Sequence, residues 1–131
     1  MEIILAENHG FCYGVKRAVE MADEAANSEG KSYTLGPIIH NPQVVGRLEN
    51  KGVSPIQEVA DIDEGTMIIR SHGVGPAIYA EAEEKGLHIL DATCPHVKKA
   101  QQDAKSVIED GMTLVILGEK NHPEVKSINL W

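Results

Sequence analysis

Aromatic side chains and long apolar runs are both scarce in this sequence. Aromatic residues make up only 4% of the chain, so the core must be built from aliphatic side chains. No run approaches the roughly 18 apolar residues that a membrane helix requires. The first residues, MEIIL, lack the basic start of a signal peptide. We therefore expect a cytoplasmic protein without a membrane partner.

Positively charged residues are also few. The chain carries 12 lysines and arginines against 20 aspartates and glutamates, for a net charge of −8. This balance argues against a nucleic-acid partner, because binding to a phosphate backbone needs a basic surface. A local pocket can still be positive inside an acidic protein, so a small anionic substrate remains compatible with the composition.

Only two cysteines are present, and they do not form a CxxC pair. Cys12 and Cys94 lie 82 residues apart (94 − 12). A reducing compartment disfavours a structural disulfide, and the missing CxxC spacing removes the usual signal for zinc. Thiolates brought together from distant loops suit an iron–sulfur cluster as well as zinc. The alternative for each cysteine is a buried structural thiol.

Short apolar runs alternate with segments of helical periodicity along the chain. Strands are predicted at residues 2–6, 32–35, 53–56, 66–71, 87–90 and 112–117, and helices at 14–26, 42–51, 76–85 and 95–110. Pro55 predicts that the strand at 53–56 lies at a sheet edge. The alternation predicts an α/β fold, in which a parallel sheet is covered by flanking helices.

Five of the predicted strands are each followed by one cysteine or histidine. These residues are Cys12, His40, His72, Cys94 and His122. In parallel α/β sheets the carboxyl ends of the strands share one edge, and ligands bind there. We therefore expect these five side chains to contribute to one site.

Each cysteine stands in a turn that leads into a predicted helix. Cys12 lies between two glycines in the segment GFCYG, and Cys94 precedes a proline in DATCP. Glycine lets a bulky ligand approach the backbone closely, and a helix N-terminus favours the thiolate over the thiol. Both turns are therefore suited to a metal or cluster ligand.

Three histidines occupy similar short phrases near helix N-termini. They are His40 in HNP, His72 in SHG and His122 in HPE. Imidazole groups, helix dipoles and free backbone N–H groups together form a good phosphate site; a solvated loop or capping residue is the alternative for each histidine. Glu124 follows His122 and is a candidate proton donor, or else a first-turn glutamate stabilised by the helix dipole.

Taken in order, the phrases GFCYGV, HN, SHGV, DATCP and HPEV resemble the hydroxymethylbutenyl diphosphate reductase family over essentially the whole chain. The resemblance implies a 4Fe–4S cluster held by three cysteines, one from each of three α/β domains arranged around a central cavity. It further implies reduction of 4-hydroxy-3-methylbut-2-enyl diphosphate to isopentenyl and dimethylallyl diphosphates, in the non-mevalonate route to isoprenoids. An external electron donor of the ferredoxin or flavodoxin type is implied as well.

The same resemblance assigns roles to six residues. Cys12 and Cys94 match two cluster ligands, and His40 and His72 match diphosphate-binding positions. The two remaining matches are His122, to a histidine of the substrate pocket, and Glu124, to the acid that delivers protons.

The sequence departs from the family in having no third cysteine. We therefore expect a fragment that is inactive alone, with a first domain at residues 1–96 and a truncated second domain at 97–131. Exposed apolar surface on the second part predicts self-association. Two other functions stay open: a diphosphate-binding module without redox chemistry, and a dimeric metal protein in which two chains pool their cysteines.

Overall fold

Four strands and five helices alternate along the chain. The computed structural model describes all 131 residues. The strands are β1 (Ser32–Leu35), β2 (Val53–Ile56), β3 (Thr66–Ile69) and β4 (His88–Asp91). The helices are α1 (Tyr13–Ala26), α2 (Pro42–Glu49), α3 (Pro76–Glu84), α4 (Pro95–Glu109) and α5 (Pro123–Ile128), and a 3₁₀ turn spans Val59–Asp61. The predicted helices and these four strands are confirmed, with ends that differ by at most two residues.

Proline sets the start of most of the helices. Pro42, Pro76, Pro95 and Pro123 stand at the first turn of α2 to α5, where the missing N–H would have no helical partner in any case. None of these helices is both long and apolar enough to cross a bilayer.

The sheet is parallel throughout, in the order β2-β1-β3-β4. Pro55 therefore lies on an edge strand, as predicted, where a missing backbone donor costs no ladder hydrogen bond. Because all four strands point the same way, the loops that follow them meet at one edge of the sheet. The central strands β1 and β3 lead into the loops that carry His40 and His72.

The core has one aliphatic layer on each face of the sheet. On one face, α1 and α2 bury Ala18, Ala22 and Leu48 against Ile68 of β3. On the other face, a second cluster surrounds Met67, and it includes Val59, Ile62, Ile69, Ala82 and Leu87. No phenylalanine or tryptophan is buried in either layer, which agrees with the aliphatic core expected from the composition.

Two predicted strands are wrong. Residues 2–6 and 112–117 have no regular secondary structure and no strand pairing, and Ile4 and Val115 are each 84% exposed. An apolar run becomes a strand only beside another strand that satisfies its backbone N–H and C=O groups, and no neighbour in this chain does so. Consequently, Cys12 and His122 do not follow strands, whereas His40, His72 and Cys94 do.

Candidate functional site at the carboxyl edge of the sheet

Three histidines predicted from separate loops meet beyond the ends of β1 and β3. The ring centroids of His40 and His72 lie 4.4 Å apart, and those of His72 and His122 lie 6.4 Å apart. His72 is the central member and is buried, while His40 is exposed and His122 is half-buried. The structure thus brings together all three candidate phosphate-binding residues.

Two of these histidines lie at helix starts that local hydrogen bonds stabilise. Asn41, next to His40, caps α2 by accepting hydrogen bonds from the backbone N–H groups of Gln43 and Val44, both at 3.1 Å. The Nδ1 atom of His122 accepts a hydrogen bond of 3.3 Å from the backbone N–H of Glu124. In the neutral ring this bond leaves the proton on Nε2, which is then free to donate to a ligand.

His72 is held in its neutral form by its surroundings. Burial is the main cause that lowers the pKa of His72 to about 4, and the nearby His40, Arg70 and His122 add to the effect. Its Nδ1 atom is buried without a hydrogen-bond partner. At neutral pH the ring therefore offers one N–H donor and one lone pair, and it carries no charge of its own.

A small cavity of about 220 Å³ opens beside His40 and His72. Phe11, Val15 and Ile39 form its apolar side. The volume lies below the range of roughly 300–1,000 Å³ that is typical of small-molecule pockets. This cavity can hold a phosphate-sized group between imidazoles and apolar side chains.

The two cysteine turns are neighbours in space. Cys12 is the N-cap of α1 and is exposed, and Cys94 is the half-buried N-cap of α4; both are free thiols. A Cβ atom on Gly14 would come within 2.5 Å of the Cys94 Sγ atom, so the Cys94 thiol lies against the first turn of α1. The bare glycine makes this close approach possible.

Arg17 links these two turns. From α1 its guanidinium donates hydrogen bonds to the backbone oxygens of Thr93, at 3.3 Å, and Asp91, at 3.4 Å. The backbone N–H of Cys94 in turn donates to the Ser71 oxygen at 2.9 Å, which connects the Cys94 turn to the His72 loop. The cysteine and histidine loops therefore form one connected edge.

The carboxylate of Asp91 anchors the start of the Cys94 turn. It accepts hydrogen bonds from the Thr93 backbone N–H at 3.0 Å, from the Tyr79 hydroxyl at 3.2 Å and from Lys98. Burial alone would raise the pKa of Asp91, but the hydrogen bonds from Lys98 and Thr93 hold it below its usual value. Burial and the neighbouring Asp91 raise the pKa of Tyr79 to about 12. Around neutral pH, Asp91 is therefore ionised and Tyr79 is neutral.

A buried polar contact ties α4 and α5 to the His72 loop. The Gln101 amide donates to the Ser127 hydroxyl and to the Val74 oxygen, both at 3.4 Å. The Ser127 hydroxyl lies 2.7 Å from the His72 oxygen and 2.9 Å from the Glu124 oxygen. Sequence reasoning missed Gln101 and Ser127, because a polar residue inside a helical segment is most often exposed.

Glu124 lies in the first turn of α5, directly after His122. Its backbone N–H and C=O are both used in the contacts to His122 and Ser127. The half-buried carboxylate makes no ion pair. It therefore remains available on the same turn as His122.

The chain alone provides two soft metal ligands at this edge. No group of three or more His, Cys, Asp or Glu side chains is arranged to hold a metal ion. Cys12 and Cys94 fit a cluster in chemistry and placement, because each is a free thiol at a helix N-terminus. A full set of three cysteine ligands would need one more thiolate.

Comparison of the sequence with known proteins finds relatives that carry one and the same enzyme name. A 4-hydroxy-3-methylbut-2-enyl diphosphate reductase from Geotalea uraniireducens is 54% identical over 98% of this chain, which covers 45% of that protein. The enzyme of the same name from Pelobacter propionicus is 56% identical, with 46% of its length covered. The chain therefore spans somewhat less than half the length of these curated relatives.

Solved structures that resemble this chain are of the same reductase. A structure of (E)-4-hydroxy-3-methyl-but-2-enyl diphosphate reductase, described as the terminal enzyme of the non-mevalonate pathway, matches 97% of this chain with a TM-score of 0.84 and 51% identity. The Plasmodium falciparum reductase matches 93% of it with a TM-score of 0.88 and 33% identity. The chain covers 46% and 39% of those two proteins. The family model described as LytB protein matches residues 3–131, and this chain belongs to that family.

Proposed function

We propose that this chain is part of a reductase that removes the hydroxyl group of 4-hydroxy-3-methylbut-2-enyl diphosphate. The names of its relatives support this activity. The observation that carries the proposal is the meeting of two cysteine turns and three histidines at one edge of the sheet. Together they provide soft cluster ligands beside donors for a diphosphate.

The diphosphate group would lie against the histidines. His72 stays neutral at pH 7 because its pKa is about 4, so it binds as a hydrogen-bond donor rather than as a cation. His122 would donate from Nε2, since its Nδ1 accepts the Glu124 N–H. His40, the exposed member, would complete the set. Such donors bind phosphate oxygens by direct N–H···O bonds.

Cys12 and Cys94 would hold two iron atoms of a 4Fe–4S cluster. When bound, such a cluster supplies electrons and a Lewis-acidic iron for the substrate hydroxyl. Arg17 and Gly14 keep the two turns together, so these residues set the spacing of the thiolates.

Glu124 is the proposed proton donor. Glu124 is in the first turn of α5, and its backbone N–H donates to the ring of His122, the proposed substrate-binding residue. Loss of hydroxide from an allylic alcohol is unfavourable unless the leaving oxygen is protonated. A carboxyl group at this position can supply that proton, so that water leaves.

The rest of the enzyme would complete the site. The relatives are more than twice as long as this chain, and we place the third cluster ligand and the remaining walls of the cavity in the portion that it does not cover. The division into a first domain at 1–96 and part of a second at 97–131 belongs to the same proposal. So do a cytoplasmic location, a trefoil-like arrangement of three domains and a ferredoxin- or flavodoxin-like electron donor.

Calorimetric titration of the metal-free chain with the substrate diphosphate tests the histidine assignment. We expect binding that weakens about tenfold or more in His40→Gln and His122→Gln, because each loses a hydrogen bond to a charged group. His88→Gln, which changes an exposed histidine of β4, serves as the matched control. Equal affinity in all four proteins would exclude this site.

A binding module without redox chemistry is the second candidate. The small histidine-lined cavity favours it, because no cysteine lines that cavity. Diphosphate binding by a chain that takes up no iron under anaerobic reconstitution would support the module. A cluster formed only by dimers would instead support a metal protein that pools the cysteines of two chains.

A further inference from the structure

A second cavity lies at the same sheet edge but shares no residue with the histidine cavity. Its volume is about 310 Å³. Gly36, Gln57 and Arg70 border it, and each directly follows the last residue of β1, β2 or β3. Lys126 and Ser127 of α5 close the other side. The two cavities are therefore separate: Ser71 and His72 line the histidine cavity, and their neighbours Arg70 and Gly73 line this one.

Arg70 is the unusual residue of this second cavity. Its guanidinium is half-buried, makes no ion pair with any carboxylate and keeps its Nε atom buried without a hydrogen-bond partner. Burial lowers the pKa of Arg70, and no nearby carboxylate counters that effect. Buried cations in proteins are normally paired, because removing a charge from water is costly. Arg70 therefore lacks the partner that its position calls for.

The backbone makes room for this arginine. A Cβ atom on Gly36 would come within 2.9 Å of Arg70 Nη1, and Gly36 adopts a left-handed φ of 71°. Only glycine meets both conditions without strain. The guanidinium thus lies directly against Gly36 at the end of β1, and both residues line the cavity.

The other polar residues of the cavity are cationic or neutral. Lys126 is exposed and forms no ion pair, and the Gln57 amide can donate two hydrogen bonds. No aspartate or glutamate lines the cavity, although the chain has 20 of them. The cavity is therefore locally positive within an acidic protein.

We propose that this cavity is a second anion site, in which Arg70, Lys126 and Gln57 bind a small oxyanion of the phosphate class. The guanidinium fork matches two oxygens of such an anion, and the lysine adds a second positive charge. The site is separate from the histidine cavity and does not depend on the proposed reductase activity. Free phosphate and the terminal phosphate of an organic phosphate share this chemistry.

Amide NMR titration of the folded chain at pH 8 and constant ionic strength tests the site. Inorganic phosphate is the first probe, and methyl phosphate is the second. We expect saturable shifts at the amides of Gly36 and Gly73 and at the Arg70 Nε–H. Saturation by both probes points to the shared phosphate group, and saturation by inorganic phosphate alone points to the free ion.

Matched variants make the outcome decisive. Arg70→Gln should weaken phosphate binding about tenfold or more, Arg70→Lys should restore part of it, and Lys126→Gln should weaken it less. Lys31→Gln removes an exposed positive charge elsewhere and should change nothing. His40→Gln tests the independence of the two cavities and should leave these shifts in place.

Three results would overturn the proposal. One is a set of shifts that never saturates, and another is an equal response in a folded Arg70→Gln chain. The third is a response at His40 and His72 with no shift at the Gly36 amide or the Arg70 Nε–H. The last result would leave the diphosphate assignment intact, so the two proposals can fail separately.

Discussion

His72 has the most strongly shifted ionisation among the histidines of the site. Its pKa of about 4 reflects burial first and the neighbouring His40, Arg70 and His122 next. At the residue scale, two unpredicted contacts support the site. Gly14 has no side chain where the Cys94 Sγ atom packs against α1, and the Arg17 guanidinium donates hydrogen bonds to the backbone of the Cys94 turn. Residue type and position in the sequence predict the cysteines and histidines as site residues. The sequence could not identify these contacts, because they depend on side-chain distances.

The shifted pKa of His72 predicts a pH-dependent stability. Because the folded pKa lies below that of the unfolded chain, the unfolded state binds the proton first, and stability falls as the pH drops from about 6.5 to 4. The His72→Gln variant should lack this fall in the free energy of unfolding, which amounts to about 1–3 kcal/mol. Urea unfolding between pH 7.5 and pH 4 measures it, with His88→Gln as control. Parallel pH curves for the wild type and the His72 variant would contradict the assignment.

Gly14→Ala should separate helix stability from thiol placement. The added methyl favours α1 by up to about 1 kcal/mol, yet it would come within 2.5 Å of Cys94 Sγ and must displace that side chain. We expect iron uptake to fall several-fold in a folded chain, as measured by iron content after anaerobic reconstitution. Gly46→Ala is the matched control, since nothing lies within 4 Å of its new Cβ. Normal iron uptake by the Gly14 variant would refute close packing of the two turns.

At the scale of elements, much of the fold could be predicted because helix starts and strand lengths leave local signals. Pro42, Pro76 and Pro95 mark three helix starts, and Pro55 marks an edge strand. The strands at 2–6 and 112–117 could not be judged in the same way, because a strand exists only with a partner. The packing of α5 against the His72 loop also escaped prediction, since it rests on the buried Gln101–Ser127 contact.

Arg17 joins α1 to the Cys94 turn, and its loss should loosen that connection. Arg17→Gln removes two hydrogen bonds from a charged donor and should lower the free energy of unfolding by about 1–3 kcal/mol. As a positioning residue, it should also change the electron paramagnetic resonance spectrum of a reduced cluster, and Arg17→Lys should restore part of that change. Lys16→Gln, which affects only an exposed pair with Glu20, is the control. An unchanged spectrum in Arg17→Gln would limit this residue to a structural role.

At the scale of the whole molecule, the chain presents apolar segments that it does not cover. Ile4 and Val115 are largely exposed, and Leu117 is fully so. The chain also covers 46% or less of the solved reductases it matches. The sheet edge thus carries the two cysteine turns and the three histidines, while two apolar segments elsewhere in the chain stay exposed. The boundary at residue 96 remains a prediction, although α4 and α5 both pack on the first part of the chain.

The uncovered segments predict association at high concentration. Extended apolar backbone with free N–H and C=O groups pairs readily with another chain. Sedimentation velocity should show a concentration-dependent rise in mass that Ile4→Lys or Val115→Lys reduces several-fold. Thr113→Lys adds the same charge in the same segment without removing an apolar side chain, so its effect should be smaller. A monomer at all concentrations would refute association through these segments.

The most direct test of the proposed cluster site is the iron and sulfide content of the chain after anaerobic reconstitution. A small thiol is included as an exchangeable third ligand. We predict a brown protein whose cluster is lost in both Cys12→Ser and Cys94→Ser, because each thiolate would bind one iron atom of the cluster. Iron binding that survives in either variant, or a folded wild-type chain that takes up none, would contradict the claim that these two cysteines form one cluster site.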